Sequence, residues 1–135
     1  MTTVAPLVCR DLVVTFPDGP NRRTILDHLD LEVAAGEIVT ISGDSGSGKS
    51  TLLTVAGLLR RSDSGTVALA GVEASGLSER RRTRLRRDHL AFVYQSANLF
   101  PSLTALEQIQ LVGHIRGQRP SATRTRAQAV LDDLG

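Results

Sequence analysis

Apolar and polar positions change rhythm several times along the chain, and each change predicts an element. The stretch LVCRDLVVTF (7–16) is rich in β-branched and aromatic residues and reads as a strand. PDGPNRR (17–23) follows as a turn, and LDHLDLEV (26–33) alternates apolar with polar, the period of a half-buried strand. EIVTIS (37–42) is a short apolar run, read as a strand that ends at a glycine-rich loop. KSTLLTVAGLLR (49–60) then carries Leu52, Leu53, Ala56 and Leu59 at helical spacing. SGTVALAG (64–71) predicts a further strand between glycines. SERRRTRLRRDH (78–89) predicts a helix capped by Ser78, leading into LAFVYQ (90–95) as a buried strand. Two helical stretches close the chain, 101–117 with Thr104 and Glu107 spaced as a capping box, and 121–135 with Ser121 as its cap. Gly117 and Pro120 separate them. The alternation of strands and helices predicts an α/β fold.

Composition narrows the classes. With 135 residues, 41% hydrophobic and 22% charged, the sequence suits one compact globular domain. No apolar run approaches the roughly 20 residues of a membrane helix. Arg10 and Asp11 interrupt the N-terminus before a signal-peptide core forms, so a cytoplasmic location is expected. Cys9 is the only cysteine; it allows no intrachain disulfide, and in its apolar stretch it reads as a small buried hydrophobe.

Charge adds more through its placement than through its net value of +2. The single lysine among 16 basic residues is Lys49, at the end of the glycine loop. A compact ammonium on a flexible stem suits phosphate oxygens there. Arg80, Arg81, Arg82, Arg84, Arg86 and Arg87 form a basic cluster, but a helix spreads them around its circumference and no aromatic interleaves for base stacking. A solvated or partner-facing helix is expected, and no nucleic acid.

The loop SGDSGSGKSTLL (42–53) matches G-x-x-x-x-G-K-[ST] from Gly43 to Ser50, between a predicted strand and a predicted helix. Glycines at Gly43, Gly46 and Gly48, with Asp44, Ser45 and Ser47 between them, let backbone amides converge on phosphate oxygens. The helix N-terminus points its positive end at the same place. Lys49 is expected to reach the β- and γ-phosphates, Ser50 to offer its hydroxyl to Mg²⁺, and Thr51 to bond another phosphate oxygen. Nucleotide binding follows.

SGDSGSGKSTLL, then SGTVALAG, then FVYQSANLFPSLTALEQI resembles, in order and spacing, the N-terminal part of an ABC-transporter ATP-binding subunit. NLFPSLTALEQI and the general run of the sequence are most similar to the subgroup serving lipoprotein release, macrolide-type export and cell-division permeases. The resemblance implies a P-loop NTPase core with an N-terminal antiparallel β-subdomain over about 1–95 and the start of a helical subdomain over about 96–135. It implies ATP and Mg²⁺ as ligands, a membrane permease and a second ATP-binding subunit as partners, and a peripheral position at the inner face of the membrane. It gives Gln95 the place of the glutamine that touches Mg²⁺ or the attacking water, and Phe16 that of the aromatic on which adenine stacks. Asp44 stands where relatives often have proline, placing an acid near the phosphates.

The resemblance also implies motifs that the 135 residues do not contain. There is no L-S-G-G-Q-like signature and no apolar strand ending in Asp-Glu; AVLDD (129–133) has helical spacing. None of His28, His89 and His114 stands where a switch histidine would. The chain thus resembles the front, truncated half of a cassette, expected to hold ATP without appreciable hydrolysis. Phosphoryl transfer needs an oriented water and fully held metal charge. Without the strands bearing those carboxylates, the runs 37–42 and 90–95 are expected to lack neighbours. The alternatives are a regulatory or vestigial nucleotide-binding fragment, a soluble P-loop kinase, and a non-transport ABC protein acting on DNA or the ribosome.

Overall fold

In a computed structural model of the chain, which describes residues 5–96 and 99–135, Leu7–Asp18 forms strand β1 and Asn21–Val33 strand β2, joined by a tight turn and paired antiparallel. Ser64–Leu69 (β3) pairs antiparallel with the other side of β1, and the two-residue β4 (Val72–Glu73), which the sequence pattern does not announce, closes the order β2-β1-β3-β4. The described helices are α1 (Lys49–Ala56), α2 (Glu79–His89), α3 (Ala105–Ile115) and α4 (Pro120–Leu134). The chain divides into two units, residues 1–91 and 92–135.

The first unit is organised by a phase change in β1. A regular strand would bury every second residue, yet Cys9, Leu12 and Val14 are the ones sealed from solvent. The pairing register shifts between Cys9 and Leu12, and Asp11 within that break has a φ of 52°. This bulge moves Leu12 onto the face that Cys9 occupies. It also fixes the residue opposite: a Cβ on Gly65 would fall 2.3 Å from the Asp11 carbonyl oxygen, so only glycine lets β3 come this close. Leu52, Val55 and Ala56 of α1, with Leu58, Val67, Leu69 and Leu85, pack on that face as one apolar cluster. Cys9 is among them as expected, and burial raises its thiol pKa to about 11, so it is inert.

Helix α1 is shorter than the apolar spacing predicts. It stops at Ala56, Gly57 caps it, and Leu58 turns out of it with a φ of 59°. Leu53 and Leu59, expected on the buried stripe, are exposed, whereas Val55 and Leu58 fill the core. Arg82 and Arg86 of α2 reach back to this end: Arg82 Nη2 donates to the carbonyls of Leu58 (3.1 Å) and Arg60 (3.0 Å), and Arg86 Nη1 to Leu58 (2.6 Å). The guanidinium groups thereby satisfy carbonyls beyond the last turn of α1. Ser78 takes the N-cap position of α2, although its side chain makes no capping hydrogen bond.

Two expected strands do not form. Residues 37–42 and 90–95 lie outside the sheet, with Ile38 94% and Val93 101% exposed. A strand buried on both faces needs a neighbour on each edge, and the described residues supply none. Phe92 and Tyr94 stack on each other instead, with ring centroids 5.8 Å apart.

In the second unit the capping box forms as the sequence predicts: the Glu107 amide bonds Thr104 Oγ1, and the Glu107 carboxylate accepts from the Thr104 amide at 2.8 Å. Helix α4 starts earlier than expected, with Arg119 as N-cap and Pro120 at the first helical turn; Ser121 lies inside it. Proline's missing N–H costs nothing there, so Pro120 opens the helix where a separator was expected. Helices α3 and α4 pack through Gly113, where a Cβ would meet the Thr123 side chain at 2.3 Å. Asn98, part of the subgroup-defining stretch, lies outside the described residues.

Candidate functional site

The loop between residues 42 and 49 is shaped by three glycines in conformations that L side chains rarely adopt, with φ of 150° at Gly43, 81° at Gly46 and 94° at Gly48. Gly48 is the most constrained of them. It is the N-cap of α1 in the left-handed region, and a Cβ there would sit 2.9 Å from Ile25 Cγ2 and 3.0 Å from the Ile25 carbonyl oxygen. The sequence therefore locks the start of α1 against β2 through a residue with no side chain. The amide of Ser47 closes a turn on the Asp44 carbonyl (3.2 Å), and the Leu52 amide takes the Gly48 carbonyl (2.8 Å) as the first full helical bond.

The first amides of a helix have no partner within it. In α1 they belong to Lys49, Ser50 and Thr51; no side chain caps them and no acid sits in the first turn. Positive potential at this end is therefore not cancelled locally. Lys49 folds over the loop, its Nζ donating to the carbonyls of Gly43 (2.7 Å) and Asp44 (2.6 Å), with Ser47 Oγ at 3.4 Å. The ammonium is thus held within the loop it is expected to serve.

A cleft of about 470 Å³ opens at this end, lined by Phe16, Ile25, Ser45, Gly46, Gly48 and the first residues of α1, Lys49, Ser50 and Thr51. The fold brings Phe16 to the glycine loop although it stands 27 positions before Gly43. One face of the ring is covered by the Arg60 guanidinium, 4.0 Å from its centroid. Gly43, Asp44 and Ser47 shape the loop without lining the cleft; Asp44 contributes its carbonyl to Lys49 and Ser47. Gln95 belongs to the second unit, at an exposed bend, and the strand expected to end on it is absent. Ile25 and Arg60 were not singled out by sequence. Ile25 lies in an alternating strand like any other apolar residue, and nothing local links Arg60 to a ring 44 positions earlier.

Around the cleft, Asp63 receives the Thr15 amide (2.6 Å) and hydroxyl (2.8 Å), with Arg22 at 3.6 Å. The Thr15 hydrogen bonds hold its carboxyl below the usual carboxylate range. Thr15 precedes Phe16, so this contact pins the strand end that presents the ring. Among the described residues no three His, Cys, Asp or Glu side chains cluster as a metal cage. The residues still suit a magnesium ion carried with a nucleotide, since such an ion takes one or two protein oxygens and otherwise phosphates and water. Ser50 at the helix start is the oxygen in place.

The family model described as ABC transporter matches residues 26–135. The lipoprotein-releasing system ATP-binding protein LolD of Nitrobacter hamburgensis is 47% identical over 125 residues, 93% of this chain and 54% of the relative. That of Bordetella pertussis is 44% identical over 120 residues, covering 89% and 52% respectively. The chain therefore spans about half the length of the curated relatives it matches. Among solved structures, a dimeric ATP-binding cassette in a post-hydrolysis state, bound to ADP and Pi, superposes with a TM-score of 0.84 at 32% identity, covering 93% of this chain and 56% of the other. No helix among the described residues is long and apolar enough to cross a membrane. With the glycine loop, its helix and 110 consecutive residues all matching one family model, the chain belongs to the ABC transporter family of ATP-binding proteins.

Proposed function

We propose that the chain binds Mg·ATP at the cleft between Phe16 and the start of α1, as the nucleotide-holding part of a LolD-like subunit that serves an export permease. The observation that carries this reading is the convergence of Lys49, the uncapped amides of Lys49, Ser50 and Thr51, and Phe16 on one cleft. The amides and the Lys49 ammonium bind phosphate oxygens; the ammonium exchanges its bonds to the Gly43 and Asp44 carbonyls for charge-assisted ones. Ser50 presents its hydroxyl to magnesium, whose charge screens the phosphates. Phe16 offers one face to the base while Arg60 backs the other. Stacking of this kind favours no particular base, so the chain is expected to take GTP nearly as well as ATP.

Gln95 orients water or metal in the assembled transporter, by its place in the sequence and the ability of a neutral amide both to donate and to accept. The sequence shows no signature motif and no apolar run ending in Asp-Glu, the parts that in relatives complete the hydrolytic site, so the chain alone is expected to bind ATP without appreciable turnover. A membrane permease and a second ATP-binding subunit are its partners, which places it peripherally at the inner face of the membrane. The lipoprotein-releasing relatives and the dimeric cassette support that assignment.

Calorimetric titration with Mg·ATP tests the site. Saturable binding is expected, and Lys49→Ala should weaken it about tenfold to a hundredfold, the loss of one or two charge-assisted hydrogen bonds. Equal affinity in the wild type and Lys49→Ala would remove the basis for the proposal.

A further inference from the structure

The turn that follows helix α1 grips the end of β1 from which Phe16 projects. We propose that Arg60 is a positioning residue for nucleotide binding: with Asp63 it clamps that strand end and holds the Phe16 ring ready for the base before the nucleotide arrives. This rests on the nucleotide reading of the cleft and names the residue that makes its base platform rigid.

Phe16 lies near the open end of β1, opposite Arg23 of β2, and its ring is only partly buried against the core. Such a ring turns about its side-chain torsions, and ordering it on binding costs free energy that a preset ring avoids. Arg60 restricts it from one side. The guanidinium carbon stands 4.0 Å from the ring centroid, well inside cation–π range, and Nη2 lies 3.5 Å from the Thr15 carbonyl oxygen. Its Nε is buried without a hydrogen bond, and withdrawal from water strengthens the attraction to the ring. Asp63, the acid nearest to Arg60 in sequence, does not draw it away. That carboxylate is taken by the Thr15 amide and hydroxyl and by Arg22.

The clamp closes at both ends of one turn. The Asp63 amide donates to the Val13 carbonyl (2.8 Å) while its carboxylate accepts from Thr15, so residues 60 and 63 hold positions 13, 15 and 16 together. The turn is itself fixed. Gly57 caps α1, Leu58 leaves the helix at positive φ into the core, and the Arg60 amide bonds the Thr54 carbonyl at 3.1 Å. One helix thereby serves both ends of the nucleotide, with its first amides at the phosphates and the turn after its last residue behind the base.

Calorimetric titration of the full chain with Mg·ATP, and with magnesium tripolyphosphate, which has no base, tests the role. Arg60→Met keeps the apolar stem and removes the cation. It should weaken Mg·ATP about threefold to tenfold, the loss of one cation–π contact, and leave tripolyphosphate unchanged. Added to Phe16→Ala it should have no further effect, since the ring it positions is gone. Arg60→Gln should behave alike and serves if circular dichroism shows that Arg60→Met does not fold. Equal loss for both ligands would mean a general structural role and overturns the proposal. So does unchanged Mg·ATP affinity in the Arg60 variant, or full additivity with Phe16→Ala. If Phe16→Ala itself leaves Mg·ATP binding intact, base stacking fails and the inference with it; if only the Arg60 variant is silent, the inference alone fails. Should tripolyphosphate not bind the wild type, the phosphate grip is contradicted, and the cycle with Phe16→Ala still decides the role of Arg60.

Discussion

In the proposed nucleotide site Lys49 and Phe16 divide recognition between the phosphates and the base, and each substitution reads out one end. Phe16→Ala should weaken Mg·ATP binding by roughly five- to hundredfold, the range of one lost stacking platform of about 1–3 kcal/mol, whereas Phe16→Tyr keeps the ring and the affinity. Fluorescence titration with a labelled nucleotide distinguishes them; equal loss in both variants would mean that the ring packs without touching the base. A third residue makes the strand bulge pH-sensitive. His28 Nδ1 faces the Asp11 carboxylate, and that hydrogen bond raises the histidine pKa above its ordinary value. A raised folded pKa stabilises fully below the ordinary value, near 6.5, and the contribution fades as pH rises through the folded value. Asp11→Asn should therefore return the His28 titration, followed by NMR, towards the ordinary range and flatten this part of the pH dependence of stability.

At this scale the sequence was most informative where chemistry restricts the residue type. A loop that needs left-handed backbone at Gly48 and an ammonium at Lys49 leaves a pattern of fixed spacing. Arg60, Arg82 and Asp63 act through contacts 22 to 48 residues away, and no local pattern encodes them.

Among elements, the start written as a reciprocal capping box came out at its expected place, whereas the cap expected at Ser121 did not. Helix α3 begins where Thr104 and Glu107 announce it. Thr104→Ala should cost about 1 kcal/mol, seen as a lower thermal midpoint with the fold otherwise unchanged. The backbone and hydroxyl of Thr104 lower the Glu107 pKa, so the cap's contribution is complete above the ordinary carboxylate value and is lost as pH falls through the depressed one. At pH 7 the Thr104→Ala penalty should exceed that near pH 3; an identical penalty at both would show that the carboxylate adds nothing. The runs 37–42 and 90–95 show the opposite case. Their apolar pattern is that of buried strands, but pairing is a property of neighbours, and Ile38 and Val93 stand in solvent. Helix α1 ends early for a similar reason: spacing places Leu59 on the apolar stripe, while Leu58, turned out of the helix at positive φ, fills the core.

For the whole molecule, the sheet β2-β1-β3-β4 with α1 and α2 forms one apolar core in the first unit, and α3 with α4 forms the second. The chain matches its relatives over about half their length, and the exposed apolar residues of 37–42 and 90–95 lie within the matched region. Exposed strand-forming segments invite edge-to-edge association. The central claim is that this architecture grips Mg·ATP and does not cleave it. The direct measurement follows nucleotide binding and phosphate release on the same purified 135-residue chain, with Lys49→Ala beside it. Saturable, Lys49-dependent binding with turnover far below 1 s⁻¹, the low end for ordinary enzymes, is the predicted result. Phosphate release near 1 s⁻¹ that disappears with Lys49→Ala would contradict it.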